Sequence, residues 1–129
     1  MTRGRETVAS DAAPRAIGPY AQAVVAGDLV FCSGQVGLDP ASGRLVPGGV
    51  AAEAARALES LAAVLSAAGL GLGDVVKTTV YLVDLAEFAA VNEVYAHYFH
   101  APYPARATVG VAALPAGARV EIEAVATRR

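Results

Sequence analysis

Three charged residues stand in two apolar stretches near the end of the sequence. Arg106 opens RATVGVA, while Glu121 and Glu123 interrupt VEIEAVA. Charged side chains are seldom buried without a partner, so their position among strand-forming residues needs a reason. A guanidinium at the mouth of a dry cleft can hold a carboxylate through two parallel hydrogen bonds. Arg106 is therefore a candidate anion-binding residue, and an ordinary surface arginine or an inter-subunit ion pair is the alternative.

Glu123 has apolar neighbours on both sides, with Ile122 before it and Ala-Val-Ala after it. A partly desolvated carboxylate is suited to hold a water molecule and take its proton. A structural ion pair with Arg106 or Arg119 is the alternative. The intervening LPAGA predicts a hairpin of two antiparallel strands. If both side chains share a face of that hairpin, they lie roughly 10 Å apart, a gap that a two- to four-carbon acid can bridge.

Other residues with reactive side chains favour structural roles. His97 and His100 lie near a helix end, but zinc needs more ligands than these two. Cys32 lies within a β-run, which favours a buried, inert thiol over a nucleophile. Gly34, in SGQVG, allows a ligand to approach the backbone N–H, and a β-bulge is the alternative. The glycines of GLGLGD precede a strand, whereas phosphate loops open a helix.

The elements that must position these residues follow from periodicity and turn residues. Strands are predicted in ETVAS, in AQAVVAG and LVFCSGQVGL around a tight Gly27-Asp28 turn, in VVKTTVYLV and in the closing hairpin. A helix over 50–68 carries an apolar stripe of Ala54, Leu58, Leu61, Leu65 and Ala68 and ends at Gly69. A second helix over about 85–99 begins at Asp84, with Glu87 at capping-box spacing. The order β-β-β-α-β-α-β-β indicates an α+β or mixed α/β fold, a single sheet with two helices that can cover one face.

The strand VVKTTVYLV has apolar residues on both alternating sides. One face is predicted to hold Val76, Val80 and Leu82, and the other Val75, Tyr81 and Val83. Two helices cover one face of a sheet, so the other needs a cover that this chain does not supply. A second copy of the chain is the expected cover, and polar residues of that face would then lie at a subunit interface.

Composition limits the class of protein. The 129 residues predict one domain, 1–129, with frayed residues 1–5. Lys and Arg number 10 and Asp and Glu 12, a net charge of −2 that favours neither nucleic acid nor an anionic membrane as a partner. The single cysteine excludes an internal disulfide. We find no secretory signal and no apolar run of transmembrane length, which predicts a cytoplasmic protein.

Five motifs in register resemble the Rid family of reactive-intermediate (enamine/imine) deaminases over nearly the whole chain. They are IGPYAQAV, SGQVGLDPASG, AGLGLGDVVKTTVYLVDLAEFAAVNEVYAHYF, PARATV and LPAGARVEIEAVA. The resemblance implies a chorismate-mutase-like fold and a homotrimer with active sites in the clefts between subunits. It also implies hydrolysis of 2-aminoacrylate, 2-iminopropanoate and 2-iminobutanoate to 2-keto acids and ammonia, without a cofactor or a metal.

The resemblance also assigns roles to individual residues. Arg106 is expected to grip the substrate carboxylate, and Glu123 to position the attacking water. The pocket wall is expected to contain Tyr20, Ser33 and Gly34, with Asn92 supporting the site or the interface. Thr108 stands where many of these deaminases carry cysteine, so thiol chemistry is not expected. Its hydroxyl can still hydrogen-bond a water or the leaving amine.

Two other functions compete with the deaminase. The same cleft could bind a small carboxylate, such as a keto acid, without turnover. A ribonuclease or translation inhibitor is the second competitor, since that role is also attached to the family. The acidic net charge and the absence of a basic stripe with interleaved aromatics argue against it.

Overall fold

The computed structural model describes residues 5–128, which form one six-stranded sheet with two α-helices packed on one face. The strands are β1 Arg5–Val8, β2 Ala23–Ala26, β3 Leu29–Val36, β4 Val75–Leu82, β5 Ala105–Gly110 and β6 Val120–Thr127. The helices are α1 Gly49–Ala67 and α2 Phe88–Tyr98, with 3₁₀ turns at Leu72–Asp74, Leu85–Glu87 and Pro115–Gly117. The predicted element order and the α+β class are confirmed. The predicted domain 1–129 and the predicted fraying include residues 1–4 and 129, which lie outside the described residues, and Arg5 already belongs to β1.

The strand order is β1-β2-β3-β6-β4-β5, so the predicted closing hairpin is wrong. β4 lies between β5 and β6, parallel to the former and antiparallel to the latter. The physical reason is that β4, α2 and β5 form a strand–helix–strand crossover, which makes the two strands parallel neighbours. β6 then fills the place between β3 and β4 and pairs antiparallel with both.

The core lies between the helices and the near face of the sheet. The predicted stripe of α1 is confirmed at Ala54, Leu58, Leu61 and Leu65, which are all fully buried. Ala68 is only partly buried, because it follows the last helical residue as the C-cap. α2 adds Val91 and Tyr95, and the near face of the sheet contributes Val80, Leu82, Val120 and Ile122. Each large apolar side chain buried in this way stabilises the fold by about 1.5–3 kcal/mol. This common core packs α2 against α1 and the near face of the sheet.

Turn chemistry ends the first helix as predicted. Gly69 has φ +79°, its N–H donates to Ser66 O (2.9 Å), and the N–H of Leu70 donates to Leu65 O (2.8 Å). This pair of bonds is a Schellman motif, which favours glycine at the left-handed position. The tight turn at Gly27-Asp28 is also confirmed, because β2 and β3 pair directly across it.

The start of the second helix differs in detail from the prediction. The Asp84 carboxylate accepts a bond from the N–H of Ala86 (2.9 Å), which confirms the cap. The side chain of Glu87 does not close a capping box and instead lies 3.7 Å from the guanidinium of Arg119. A 3₁₀ turn over Leu85–Glu87 therefore precedes α2. Within the described chain, neither helix is long and apolar enough to cross a membrane.

The far face of the sheet is exposed, as predicted. Leu29, Phe31 and Val109 are 40%, 45% and 39% exposed. The predicted division of β4 is wrong at its first two residues, because a register shift lies between Val75 and Lys77. Val75 is buried in the core and Val76 is exposed. Large apolar side chains exposed on one face of a sheet are typical of a protein interface.

Candidate active site in two halves

Arg106 projects to the helix side of the sheet, where α2 holds its guanidinium. Its strand partner is Thr78, a buried residue on the near face. Nη1 of Arg106 donates to Asn92 Oδ1 at 2.8 Å. Cζ lies 4.8 Å from the ring centroid of Tyr95 and 5.4 Å from that of Phe88. Such cation–π contacts stabilise an exposed cation by about 0.5–1 kcal/mol each, so the guanidinium has a defined orientation.

The ring beneath Arg106 is part of the rigid core. The hydroxyls of Tyr95 and Thr78 form a buried hydrogen bond of 2.7 Å. The Tyr95 ring also packs on Phe99, with centroids 4.5 Å apart. A buried polar pair that is fully satisfied fixes the position of its members. Asn92 and Tyr95 therefore act as a preformed platform for the guanidinium.

The positive charge of Arg106 has no carboxylate partner among residues 5–128. The ion pairs of this part of the chain join Arg56 to Glu59, and Arg119 to Glu53 and Glu87. Arg106 instead lines a cavity of about 410 Å³ together with Asn92, Tyr95, Ala96, Tyr103 and Pro104. Thr108 follows two residues later on β5 and is half-buried. An oriented, unpaired guanidinium beside a cavity is suited to bind an anion.

Glu121 and Gly34 form a second half of the site. A β-bulge interrupts β3, with a register shift between Cys32 and Gln35. The Glu121 carboxylate lies so close to Gly34 that a Cβ at position 34 would overlap Oε2. The alternative of a β-bulge is therefore confirmed, and the group that lies close to Gly34 is the Glu121 side chain of the same chain. The glycine is required here because any side chain would displace the carboxylate.

Glu121 is half-buried in a small cavity. The cavity measures about 110 Å³, and its lining includes Tyr20, Gln22, Gly34, Gln35 and Glu121. Burial raises the pKa of Glu121, and repulsion from the neighbouring Glu123 raises it further. Raised carboxyl pKa values of this origin are common where a protein uses the group as a base.

Ser33 positions the segment that carries Tyr20. Its hydroxyl donates to Ala21 O at 2.6 Å, and its N–H donates to Gln22 O at 2.9 Å. These two bonds fasten residues 20–22 to β3 beside the bulge. Tyr20 is half exposed and forms one wall of the small cavity. Of the residues predicted for the pocket wall, Tyr20 and Gly34 therefore line it, and Ser33 holds the wall in place.

The structure does not bring Arg106 and Glu123 together in one chain. Thr78, opposite Arg106, belongs to the buried near face, whereas Glu123 pairs with Thr79 and accepts a hydrogen bond from Tyr81 Oη at 3.0 Å. The two charged side chains thus lie on opposite faces of the sheet. The assumed common face was a consequence of the hairpin, which does not exist.

Sequence reasoning missed Glu121, the carboxylate that lies against Gly34. Strand alternation places Glu121 and Glu123 on the same face, so it cannot choose between them. The glycine in SGQVG was the available signal, since it indicated a close approach to the backbone. What the sequence did not reveal is that β6 pairs with β3 and brings Glu121 opposite Val36.

The other reactive side chains occupy structural or exposed positions. Cys32 is buried, as predicted, and burial raises the pKa of its thiol to about 11, which disfavours the reactive thiolate. His97 and His100 are exposed. In the range 5–128, no group of three or more His, Cys, Asp or Glu side chains is arranged to hold a metal ion.

Comparison with known proteins identifies the family to which this chain belongs. The model of the family described as Endoribonuclease L-PSP, also known as the YjgF/Rid family, matches residues 10–128. The chain belongs to this family. The mouse protein named 2-iminobutanoate/2-iminopropanoate deaminase is 55% identical over 96% of this chain and 92% of its own length. The resemblance that the five motifs indicated is confirmed.

Solved structures of Rid-family proteins share the fold. RidA from the Antarctic bacterium Psychrobacter sp. is 48% identical, with a TM-score of 0.91 over 95% of this chain and 98% of its own. TdcF of E. coli, solved with bound serine, is 44% identical, with a TM-score of 0.92 over 96% of this chain and 99% of its own. The similarity spans both halves of the site.

Proposed function

We propose that this Rid-family protein hydrolyses small 2-imino acids and their enamine tautomers to 2-keto acids and ammonia. The substrates are 2-iminopropanoate with its tautomer 2-aminoacrylate, and 2-iminobutanoate. The observation that carries the proposal is the oriented, unpaired guanidinium of Arg106 beside a cavity. The names of relatives 53–55% identical to this chain agree with it. The serine bound by TdcF is a small acid with the same α-carboxylate as the proposed substrates.

The complete site, in this proposal, lies between subunits of a homotrimer. Arg106 and Thr108 stand on the edge strand β5, while Glu121 and Gly34 lie two and three strands away in the sheet order. Two subunits in contact can bring the arginine half of one against the glutamate half of the other. The exposed apolar far face supplies the surface for that contact. Each trimer then holds sites built from neighbouring chains.

We assign the water-positioning role to Glu121 instead of Glu123. Glu121 lines the small cavity with Tyr20 and lies against the backbone of Gly34. Burial and the charge of Glu123 raise its pKa, which brings it closer to the value that suits a general base. Glu123 is held by the Tyr81 hydroxyl and does not line that cavity. Its charge acts on the reaction through Glu121.

The reaction needs a carboxylate anchor and one positioned water. Arg106 binds the α-carboxylate, which fixes the imine carbon and lowers the entropic barrier to attack. Glu121 takes a proton from water while the oxygen bonds to C2 and the C=N π electrons move to nitrogen. Glu121 returns this proton to nitrogen, which completes the neutral carbinolamine. Glu121 then carries the hydroxyl proton to the amino group, the C–N bond breaks to release ammonia, and the C2 oxygen becomes the keto oxygen. Thr108 Oγ is available to hydrogen-bond the leaving amine.

A coupled assay tests the proposal directly. Threonine dehydratase generates 2-iminobutanoate, and semicarbazide traps the imine that has not yet been hydrolysed. Added protein is expected to speed the release of 2-ketobutanoate and to lower the yield of trapped imine. An unchanged rate, combined with saturable binding of 2-ketobutanoate, would favour a carboxylate-binding protein without turnover. Because the family model is described as Endoribonuclease L-PSP, cleavage of a labelled RNA is measured in parallel, and none is expected.

Substitution Gly34→Ala tests the contact between position 34 and Glu121. The new Cβ would overlap the Glu121 carboxylate, which lies at the free end of a flexible side chain, so that the carboxylate moves and the fold stays intact. We expect kcat/KM for 2-iminobutanoate to fall about tenfold, because the water loses its oriented partner. The thermal midpoint should change by only a few degrees. A fully active Gly34→Ala protein would contradict the assignment of Glu121.

Mixed trimers test whether the site is shared between chains. Arg106→Ala and Glu121→Gln should each be inactive alone. In an equal mixture, random reassembly leaves about a quarter of the sites with an intact Arg106 from one chain and an intact Glu121 from another. Activity near a quarter of the wild-type value is therefore expected after co-refolding, with a trimer confirmed by light scattering. A mixture as inactive as its parents, or a stable monomer, would contradict the shared site.

A further inference from the structure

We infer that Arg15 binds a second anionic group of the substrate, so that the protein also accepts 2-imino dicarboxylic acids. This inference rests on the proposed function, because it extends the substrate class of the same site. It starts from a cavity of about 680 Å³ that adjoins the glutamate half. Arg15, Tyr20 and Gln22 line both this cavity and the 110 Å³ cavity of Glu121. The volume of the larger one lies in the range typical of small-molecule sites, roughly 300–1,000 Å³.

The division into two cavities matches a substrate with two ends. The smaller cavity has room for the reacting carbon and its amine beside Glu121. A longer side chain has to pass Tyr20 and enter the larger cavity, where Arg15 is the cation of the lining. A distal carboxylate is the group that a guanidinium recognises best, because two parallel hydrogen bonds form. The α-carboxylate of the same substrate remains on Arg106.

The charge of Arg15 is not neutralised by its own chain. None of the ion pairs among residues 5–128 includes it. Asp11 lines the same cavity and does not pair with Arg15. Glu121 lines the smaller cavity with Arg15 but forms no ion pair with it. The guanidinium is therefore available to an anionic ligand.

The loop that carries Arg15 is held in place by a buried glutamine. Gln22 is 6% exposed, and its Nε2 donates to Pro14 O at 2.8 Å. Its Oε1 accepts the N–H of Ser10 at 2.6 Å. Ala13 is 1% exposed, so the loop is packed two residues before Arg15. This anchoring keeps the backbone of Arg15 at the rim shared by the two cavities.

The experiment compares one dicarboxylic and one monocarboxylic imine. D-aspartate oxidase with D-aspartate, in the presence of catalase, supplies 2-iminosuccinate, and release of oxaloacetate is followed with malate dehydrogenase. Threonine dehydratase supplies 2-iminobutanoate as before. The readout is the ratio of kcat/KM for the two imines in the wild type, Arg15→Ala and Arg15→Lys. Loss of a charge-assisted contact predicts a fall in this ratio of about ten- to a hundredfold for Arg15→Ala, and a smaller fall for Arg15→Lys.

The outcomes separate this inference from the proposed function. A lower ratio in Arg15→Ala, with the assembly unchanged by light scattering, supports the inference. Acceleration of 2-iminobutanoate alone, or a ratio that Arg15→Ala leaves unchanged, overturns it and leaves the proposed function standing. Dissociation of the Arg15→Ala assembly also overturns it, because Arg15 would then be an interface residue. If the wild type accelerates neither imine, the proposed function fails and the inference falls with it.

Discussion

Replacement of Arg106 by alanine is expected to lower kcat/KM for 2-iminobutanoate by about two orders of magnitude. The side chain supplies a charge-assisted contact to the carboxylate and also orients the imine carbon, and both contributions are lost together. Arg106→Lys keeps the charge but loses the bidentate geometry and the stacking on Tyr95, so about a tenth of the activity should return. Initial rates in the dehydratase-coupled assay measure both variants.

The substitution Arg106→Ala should change the stability of the protein far less than its activity. Arg106 is exposed, and its hydrogen bond to Asn92 can be replaced by water. The thermal midpoints of Arg106→Ala and the wild type are therefore expected to agree within a few degrees. Arg44→Ala is the matched control, because Arg44 is an exposed arginine that lines neither half of the site. Equal activity in Arg106→Ala and Arg44→Ala would refute the anchoring role.

Local patterns predicted the elements of this fold well. The helices, their caps and the strands follow from apolar periodicity, from Asp84 and from Gly69, all of which act within a few residues. The closing hairpin was wrong because pairing is decided across the whole sheet. A strand, an 11-residue helix and a second strand form a crossover between parallel neighbours, which separates β5 from β6. The turn residues of LPAGA fit a longer connection equally well.

Because sequence patterns act over only a few residues, they could predict only part of the site. Arg106 and Gly34 were identified because an arginine in a strand and a glycine in a β-run are visible in the sequence, whereas Tyr20 came only from the family resemblance. The choice between Glu121 and Glu123 depends on the bulge in β3 and its pairing with β6, two segments about 90 residues apart in a one-domain fold. Periodicity of two places both carboxylates on one face. Only the register brings Glu121 against Gly34.

Glu121 and Glu123 form a pair in which the charge of Glu123 raises the pKa of Glu121. Placing a carboxylate beside a second one and partly burying it disfavours its ionised form in the folded protein. This arrangement raises the pKa of Glu121, so its ionisation lowers stability progressively as the pH rises above the ordinary carboxyl value. Replacing the Glu121 carboxylate by an uncharged group should therefore raise the stability of the folded protein at neutral pH. If Glu121 is the base as proposed, the site exchanges some stability for a better base, as functional sites often do.

Substitution Glu121→Gln is expected to lower kcat for 2-iminobutanoate by about 10²- to 10⁴-fold, the usual contribution of a general base. The isosteric amide still fits against Gly34 but cannot take a proton. Its thermal midpoint at neutral pH should equal or exceed that of the wild type, because a disfavoured charge is removed. Rates and melting curves at neutral pH measure the two effects in the same samples.

Glu123→Gln is the matched control, and the pH dependence of its activity provides a second test. The base must be ionised to act, so activity is lost as the pH falls through the pKa of Glu121. Removing the Glu123 charge takes away one of the two causes that raise this pKa, while burial remains. The acid limb of kcat/KM should therefore move to lower pH in Glu123→Gln, with most of the activity retained at neutral pH. If Glu123→Gln abolishes activity and Glu121→Gln does not, the water is positioned by Glu123, as the sequence predicted.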